Sequence, residues 1–322
     1  MNVPHEDTLA IEGGKPVRTE PFPRWPRPTE AMKESLIHTL DSERWGIGSE
    51  VVERFEKGFA RFHEAKFALS TNSGTAALWV ALKAAGVKTG DEVIVPAYTF
   101  VATASAVLMA NAIPVFVDID PQTLNMDPHA LPEAVTDRTR VIMPVHLAGY
   151  PADMTRIGDV AENRGIALIE DAAQAHGAEW EGRKVGALGL GGVFSFQSSK
   201  NMTAGEGGII VSDDEMFVNA CYSYQNVGRV RQGGWLDHRY LGGNFRLSAF
   251  PAAILLAQIR TVEQDMKVRD TNADLLDEEI RGIPGLAPQE RYEGVTRVSH
   301  HLYILRYDKT RFGNTPREEF IR

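Results

Sequence analysis

Lys200 lies in the stretch FSFQSSKNMTAGEGGIIVSDD, residues 194–214, which reads as a strand, a polar glycine-rich break and a second strand. Nothing amphipathic in the break calls for a long charged side chain, so the lysine is a candidate for chemistry. Other reactive groups fall at comparable places. Glu170 and Asp171 end the apolar run IALIED, and Gln174 and His176 follow in AAQAHGA. Asn72, Ser73, Gly74 and Thr75 follow FALST at what reads as a helix start. Tyr98 and Phe100 follow DEVIVPA, His146 lies at the end of RVIMPVHL with Tyr150 beyond it, and Ser195, Ser198 and Ser199 neighbour the lysine.

Each of these has an ordinary reading when taken singly. A loop lysine is usually solvated, and a serine or threonine at a helix start is usually a cap. A lone histidine is more often a satisfied core residue than a catalyst, and one of the two aromatics is expected to pack in the core. An acid that ends an apolar strand needs a partner, because a buried unpaired carboxylate is costly. Taken in order, however, all of them fall at strand ends, and ligands of open α/β sheets bind beyond the carboxyl ends of the strands. A phosphate there could rest on the Gly74–Thr75 helix start, where free amides and the helix dipole favour an anion, with the Ser195 hydroxyl beside it. An aromatic could cover a ring, the acid could pair with a ring nitrogen and Lys200 could form a Schiff base. Pyridoxal phosphate is the cofactor that uses such a set.

Other chemistries find less support. The nine histidines and single cysteine make no CxxC, HExxH or tight carboxylate–histidine cluster, so no metal site is expected. GALGLGG, residues 186–192, is neither a dinucleotide fingerprint nor a P-loop, and GxSxG is missing.

The elements that must position these residues follow from periodicity. Seven strands are expected at 67–71, 91–97, 113–119, 140–147, 166–171, 192–197 and 207–213, with helices at 75–86, 99–112 and 154–165 between several of them. Strands apolar along their length and flanked by helices predict an α/β fold with a largely parallel sheet covered on both faces. The last two strands, with no helix between them, are candidates for antiparallel pairing. Two helices precede the sheet, at 29–40 and 49–65. The second carries Val52, Phe55, Phe59 and Phe62 at helical spacing. Residues 1–30 read as a Gly/Pro-rich arm, 31–247 as the large domain, and 248–322 as a mostly helical linker followed by a small α+β domain. That last region shows one strand, at 300–308, and the opening of a helix, so the chain is expected to be truncated.

A net charge of −9 over 322 residues argues against nucleic acid as a partner. One cysteine, Cys221, rules out an internal disulfide framework and fits a reducing compartment. No signal-peptide pattern or long apolar run is present, so the protein is expected to be cytoplasmic, with no membrane partner.

The segments GGKPV, RWGIGSEVVERFE, NSGTAAL, GDEVIVPAYTFVATASAV, PVFVDID, MPVHLAGYPADM, IEDAAQAHGA, FSFQSSKNMTAGEGG and GGNFRLSAFPAAILLAQ resemble, in order, the DegT/DnrJ/EryC1/StrS sugar aminotransferases. These are fold type I pyridoxal-phosphate enzymes, and the similarity runs from about Gly13 to the end of the chain. The resemblance implies a seven-stranded, mostly parallel sheet sandwiched by helices, with a smaller α+β domain. It implies that Lys200 forms the Schiff base and then moves the proton, and that Asp171 keeps the ring nitrogen protonated. Gln174 would bond the ring hydroxyl, Phe100 would stack on the ring and Tyr98 would pack. Gly74, Thr75 and Ser195 would bind the phosphate, and Asn244 would reach the same phosphate from the partner subunit of a homodimer. His146 and Tyr150 would line the substrate pocket.

Some relatives that remove a sugar hydroxyl carry histidine where this chain has Lys200, so the resemblance implies a ping-pong aminotransferase. L-Glutamate or L-glutamine would be the donor, and a nucleotide-linked keto-sugar or a keto-cyclitol of sugar or antibiotic biosynthesis the acceptor. An aminodehydratase-type synthase of an aromatic amino precursor and a catalytically silent regulator of the same fold are the alternatives. The family's usual C-terminal portion is expected to be missing.

Overall fold

The computed structural model describes residue 8 and residues 10–321. The remaining positions of the N-terminal arm, 1–7 and 9, lie outside the described residues. Along the chain the strands are β1 (Phe67–Thr71), β2 (Glu92–Pro96), β3 (Ile113–Val117), β4 (Thr139–Ile142), β5 (Ala167–Asp171), the short β6 (Glu179–Trp180) and β7 (Arg183–Lys184), β8 (Gly191–Ser195), β9 (Gly208–Ser212), β10 (Leu286–Pro288), β11 (Val295–Arg297) and β12 (Leu305–Tyr307). The helices are α1 (Glu30–Asp41), α2 (Glu50–Phe62), α3 (Gly74–Ala84), α4 (Ala102–Met109), α5 (Leu131–Ala134), α6 (Met154–Arg164), α7 (Glu215–Gln225), α8 (Ala249–Gln258), α9 (Val262–Ile280) and α10 (Arg317–Phe320).

Seven strands form one sheet in the order β1-β9-β8-β5-β4-β2-β3. β9 runs antiparallel to both neighbours and the other pairs are parallel. Because successive strand residues face opposite ways, the sheet feeds two cores. Val93, Val95, Ile169, Val193 and Ile210 pack with α3, α4 and α7 on one side. Ile94, Ile142, Leu168, Phe194 and Ile209 pack with α2, α6 and α8 on the other. The aromatic stripe of α2 is what that second face buries, with Phe55 and Phe59 both at 0% exposure.

Three expectations need correction. The strand expected over 140–147 stops at Ile142, because Pro144 has no amide for the ladder and only its carbonyl pairs, accepting from Asp171 N. The helical run after Ser248 is two helices, broken at residues 259–261. The C-terminal region holds more than one strand: β12 pairs with β10, and β11 adds to the β6–β7 ribbon. Val262, Met266, Val295 and Val298 share the core that lies under β5 and β8.

Candidate active site

Asp171 closes β5 at the carboxyl end of the parallel strands and is 5% exposed. Its Oδ2 accepts from the Thr103 hydroxyl at 2.8 Å and its Oδ1 from the Ala173 amide at 3.2 Å. Burial pushes its pKa up, while those two hydrogen bonds and the charge of Lys200 pull it back down. Thr103 is itself fully buried in the first turns of α4 and is backed by Thr99, oxygen to oxygen at 2.8 Å. Glu170, its neighbour, points into the opposite face. It is fully buried and is used up by the amides of Gly186, Leu188 and Gly189 and by His146. Of the two adjacent acids, only Asp171 keeps capacity for a ligand.

Lys200 sits in an irregular loop after β8, and three distant parts of the chain hold that loop. The Trp25 indole N–H donates to the Lys200 carbonyl at 3.2 Å. Gln258, at the end of α8, brackets Thr203 by accepting from its amide and donating to its carbonyl. Asn201 donates to the Ser299 carbonyl at 2.7 Å. Burial lowers the pKa of the Lys200 amine, opposed by the Asp171 carboxylate. A desolvated amine beside one acid is biased towards the neutral form that a nucleophile or base requires.

The helix start at Gly74 packs on Ser195. A Cβ on Gly74 would lie 2.8 Å from Ser195 Cβ and 3.2 Å from its Oγ, so only glycine permits the contact. The Ser73 hydroxyl accepts from Ala76 N. That leaves the amides of Gly74 and Thr75, which have no intrahelical acceptor, beside the Ser195 hydroxyl. This is a cradle for an anion at a helix N-terminus.

The structure also places the remaining candidates. Gln174 is half-buried, and its Oε1 accepts from Ala148 N at 2.6 Å, which leaves its amide N–H groups to donate. Phe100 is 67% exposed in the loop between β2 and α4. The expectation that Tyr98 packs is corrected: β2 ends at Pro96 and Tyr98 stands 47% exposed beside Phe100. His146 is fully buried, with Nδ1 accepting from Ala152 N and Nε2 facing Glu170 at 3.1 Å. Tyr150 is 5% exposed, and burial raises its hydroxyl to about 12. Asn244 is exposed, in a segment that bridges onto the end of β1 through Phe245 and Arg246. Among the described residues no group of three or more His, Cys, Asp or Glu is placed to hold a metal ion.

Sequence patterns had not singled out Thr103, Trp25, Gln258, Asn201 or His301. His301 lies in the segment after β11, where its amide donates to the Ala148 carbonyl at 2.9 Å. Burial and the nearby charges of Lys200 and Arg269 lower its pKa to about 4.

An anion cradle, an ionisable acid at the end of β5 and a desolvated lysine on the next strand's loop fit pyridoxal phosphate in its phosphate, ring nitrogen and aldehyde, and with this sheet they define a fold type I pyridoxal-phosphate enzyme. Residues 26–322 match the DegT/DnrJ/EryC1/StrS aminotransferase family. L-Glutamine:2-deoxy-scyllo-inosose aminotransferase of Streptomyces lividus is 41% identical over 94% of this chain and 75% of its own length. A crystal structure of 3-amino-5-hydroxybenzoic acid synthase, 39% identical, superposes with a TM-score of 0.86 over 89% of this chain and 76% of that one. The E. coli GDP-4-keto-6-deoxy-D-mannose-3-dehydratase solved with hydrated pyridoxal phosphate is 28% identical, with a TM-score of 0.81 over 88% of this chain and 77% of that one. The chain belongs to the DegT/DnrJ/EryC1/StrS family and is a pyridoxal-phosphate-dependent aminotransferase.

Proposed function

We propose that the enzyme moves the amino group of L-glutamine to the carbonyl of a keto-cyclitol of the 2-deoxy-scyllo-inosose type, with L-glutamate as a second candidate donor. The buried Asp171 and the desolvated Lys200, facing each other's charge at the strand ends, carry the reading; the cyclitol acceptor rests on the Streptomyces relative. Bound pyridoxal phosphate supplies the electron sink for the reaction. Lys200 takes the α-proton of the donor on Nζ and returns a proton when the acceptor is aminated. The buried, doubly hydrogen-bonded Asp171 keeps negative charge opposite the ring nitrogen. Gly74, Thr75 and Ser195 hold the phosphate, Gln174 donates to the ring hydroxyl and Phe100 covers one ring face. The donor's amine carbon is oxidised to a carbonyl and the acceptor's carbonyl carbon is reduced as it takes the nitrogen, so no outside oxidant is needed.

In this reading two copies pair and Asn244 of each reaches the other's phosphate, Tyr150 bounds the substrate side while His146, turned to Glu170, supports the strand end from beneath, and the protein works in the cytoplasm. The chain divides into arm, large domain and C-terminal part at residues 30 and 247. Among the described residues no helix is long and apolar enough to cross a membrane. A second reading, synthesis of an aromatic amino precursor, is favoured by the likeness to 3-amino-5-hydroxybenzoic acid synthase. Incubation with L-glutamine and 2-deoxy-scyllo-inosose, followed by mass detection of the aminocyclitol, tests the first reading. Formation of an aromatic amino acid of the 3-amino-5-hydroxybenzoate type in place of the aminocyclitol would select the second.

A further inference from the structure

Beside the Lys200 loop stands a cation that the reading above does not use. Arg269, in the middle of α9, is half-buried, and one guanidinium nitrogen donates to the His300 carbonyl at 3.0 Å. The guanidinium carbon lies 5.7 Å from the centre of the Trp25 ring, and that ring's N–H is the one bonded to the Lys200 carbonyl. Arg269 is thus two contacts from the catalytic lysine, and His301 feels the charge of both. Among the described residues no carboxylate lies within ion-pair distance of Arg269, although Asp265, one turn earlier on α9, is close enough to favour its charge. Apart from the bond to His300, the guanidinium donors are free of any side-chain acceptor among the described residues, so they remain available to a carboxylate that enters the site.

The backbone around it is strained. His300 has φ +46 and Ala148 has φ +58, and His301 N and Leu302 N both donate to the Ala148 carbonyl. Strain of this kind persists where surrounding contacts enforce it and gathers at ligand sites. His301 Nδ1 is buried without a hydrogen-bond partner.

We propose that Arg269, with His301, anchors the carboxylate of the amino donor, holding an α-amino acid with its amine towards Lys200. Guanidinium is suited to this task because it binds a carboxylate through two parallel N–H groups. The proposal rests on the aminotransfer reading and adds the recognition of the donor to it.

The test uses glutaramate, which has the carboxylate and side chain of L-glutamine but no amine to transfer, titrated into the holoenzyme by calorimetry. Glutaramide, which lacks the carboxylate, is the comparison. The wild type should bind glutaramate roughly tenfold or more tightly than glutaramide, and Arg269→Met should erase that difference, with Arg269→Lys intermediate. In steady state the donor KM should rise by a similar factor in Arg269→Met, with the acceptor KM unmoved. Equal binding of the two probes by the wild type, or an effect on the acceptor KM instead, would overturn the proposal. If Arg269→Met fails to fold, Arg269→Lys decides instead, because it keeps the charge but should lose part of the preference for glutaramate; an undiminished preference in it would overturn the proposal. If the wild type transfers an amine from neither L-glutamine nor L-glutamate, the function reading fails, while probe binding by wild type and Arg269 variants still decides on Arg269.

Discussion

Thr103→Val removes one hydroxyl from beneath the site and leaves a side chain of nearly the same shape. Among the described residues the Asp171 carboxylate then keeps only the Ala173 amide, at 3.2 Å, as a hydrogen-bond donor to it. A hydrogen bond to a charged group is worth about 1.5–3 kcal/mol, and one pKa unit corresponds to about 1.4 kcal/mol. Losing the shorter bond, 2.8 Å from the Thr103 hydroxyl, should therefore raise the Asp171 pKa further and weaken cofactor binding on the acid side by roughly tenfold or more. The sign follows from which form gains. Burial already disfavours the charged carboxylate and Thr103 opposes it, so removing Thr103 moves the pKa further up. The assay is the apparent affinity for pyridoxal phosphate from pH 5 to 9, followed by absorbance. On its acid side, affinity falls as Asp171 takes up a proton and can no longer pair with the ring nitrogen. That limb should move towards neutral pH in Thr103→Val and return in Thr103→Ser. Titration of the cofactor's own phosphate is common to all variants and cancels in the comparison. If the limbs of wild type and Thr103→Val coincide, Thr103 does not tune Asp171 and the reasoning fails.

Two more outcomes follow from the same geometry. His63 is fully buried between the Val185 carbonyl and the Gly177 amide, and burial lowers its pKa to about 3 from an ordinary 6.5. The unfolded chain takes up that proton as pH falls below 6.5 while the folded one does not, so stability is full above 6.5 and is lost downwards towards 3. By linkage, His63→Gln should remove about 2 kcal/mol of the stability difference between pH 7 and pH 5, read from urea midpoints. Gly74→Ala should weaken cofactor binding by roughly tenfold or more, because its Cβ would fall 2.8 Å from Ser195 Cβ and displace the anion cradle. An unchanged affinity would show that α3 can shift without consequence.

Much of this architecture was legible from periodicity. FALST forms β1 over the residues its β-rich run spans, and β5 and β9 differ from their expected spans by single residues, because apolar runs bounded by Gly and polar breaks leave little freedom of length. The antiparallel turn of β9 followed from the missing helix before it. The strand-end rule then brought Asp171, Lys200 and the Gly74 helix start to one edge. What was not legible depends on contacts between distant segments. Thr103 looked like one more small residue of an apolar helix, and its function shows only when β5 lies 68 residues away at hydrogen-bond distance. Trp25 belongs to a Gly/Pro-rich arm with no periodicity, yet it bonds to the lysine's own carbonyl. The β6–β7 ribbon is too short to give a pattern, and it exists because β11 pairs with it from more than a hundred residues further on. His146 ended an apolar run as a catalytic histidine might, but Pro144 stops β4 early and the ring turns inward to Glu170.

The most direct measurement of the central claim is chemical capture of the lysine. Pyridoxal phosphate is added to the protein, the visible spectrum is taken before and after L-glutamine, and a parallel sample is reduced with borohydride and mapped by peptide mass. The account predicts a yellow form that fades with L-glutamine, a cofactor adduct on the peptide bearing Lys200, and neither in Lys200→Ala. An adduct on another lysine, or a donor-responsive yellow form that survives in Lys200→Ala, would contradict it.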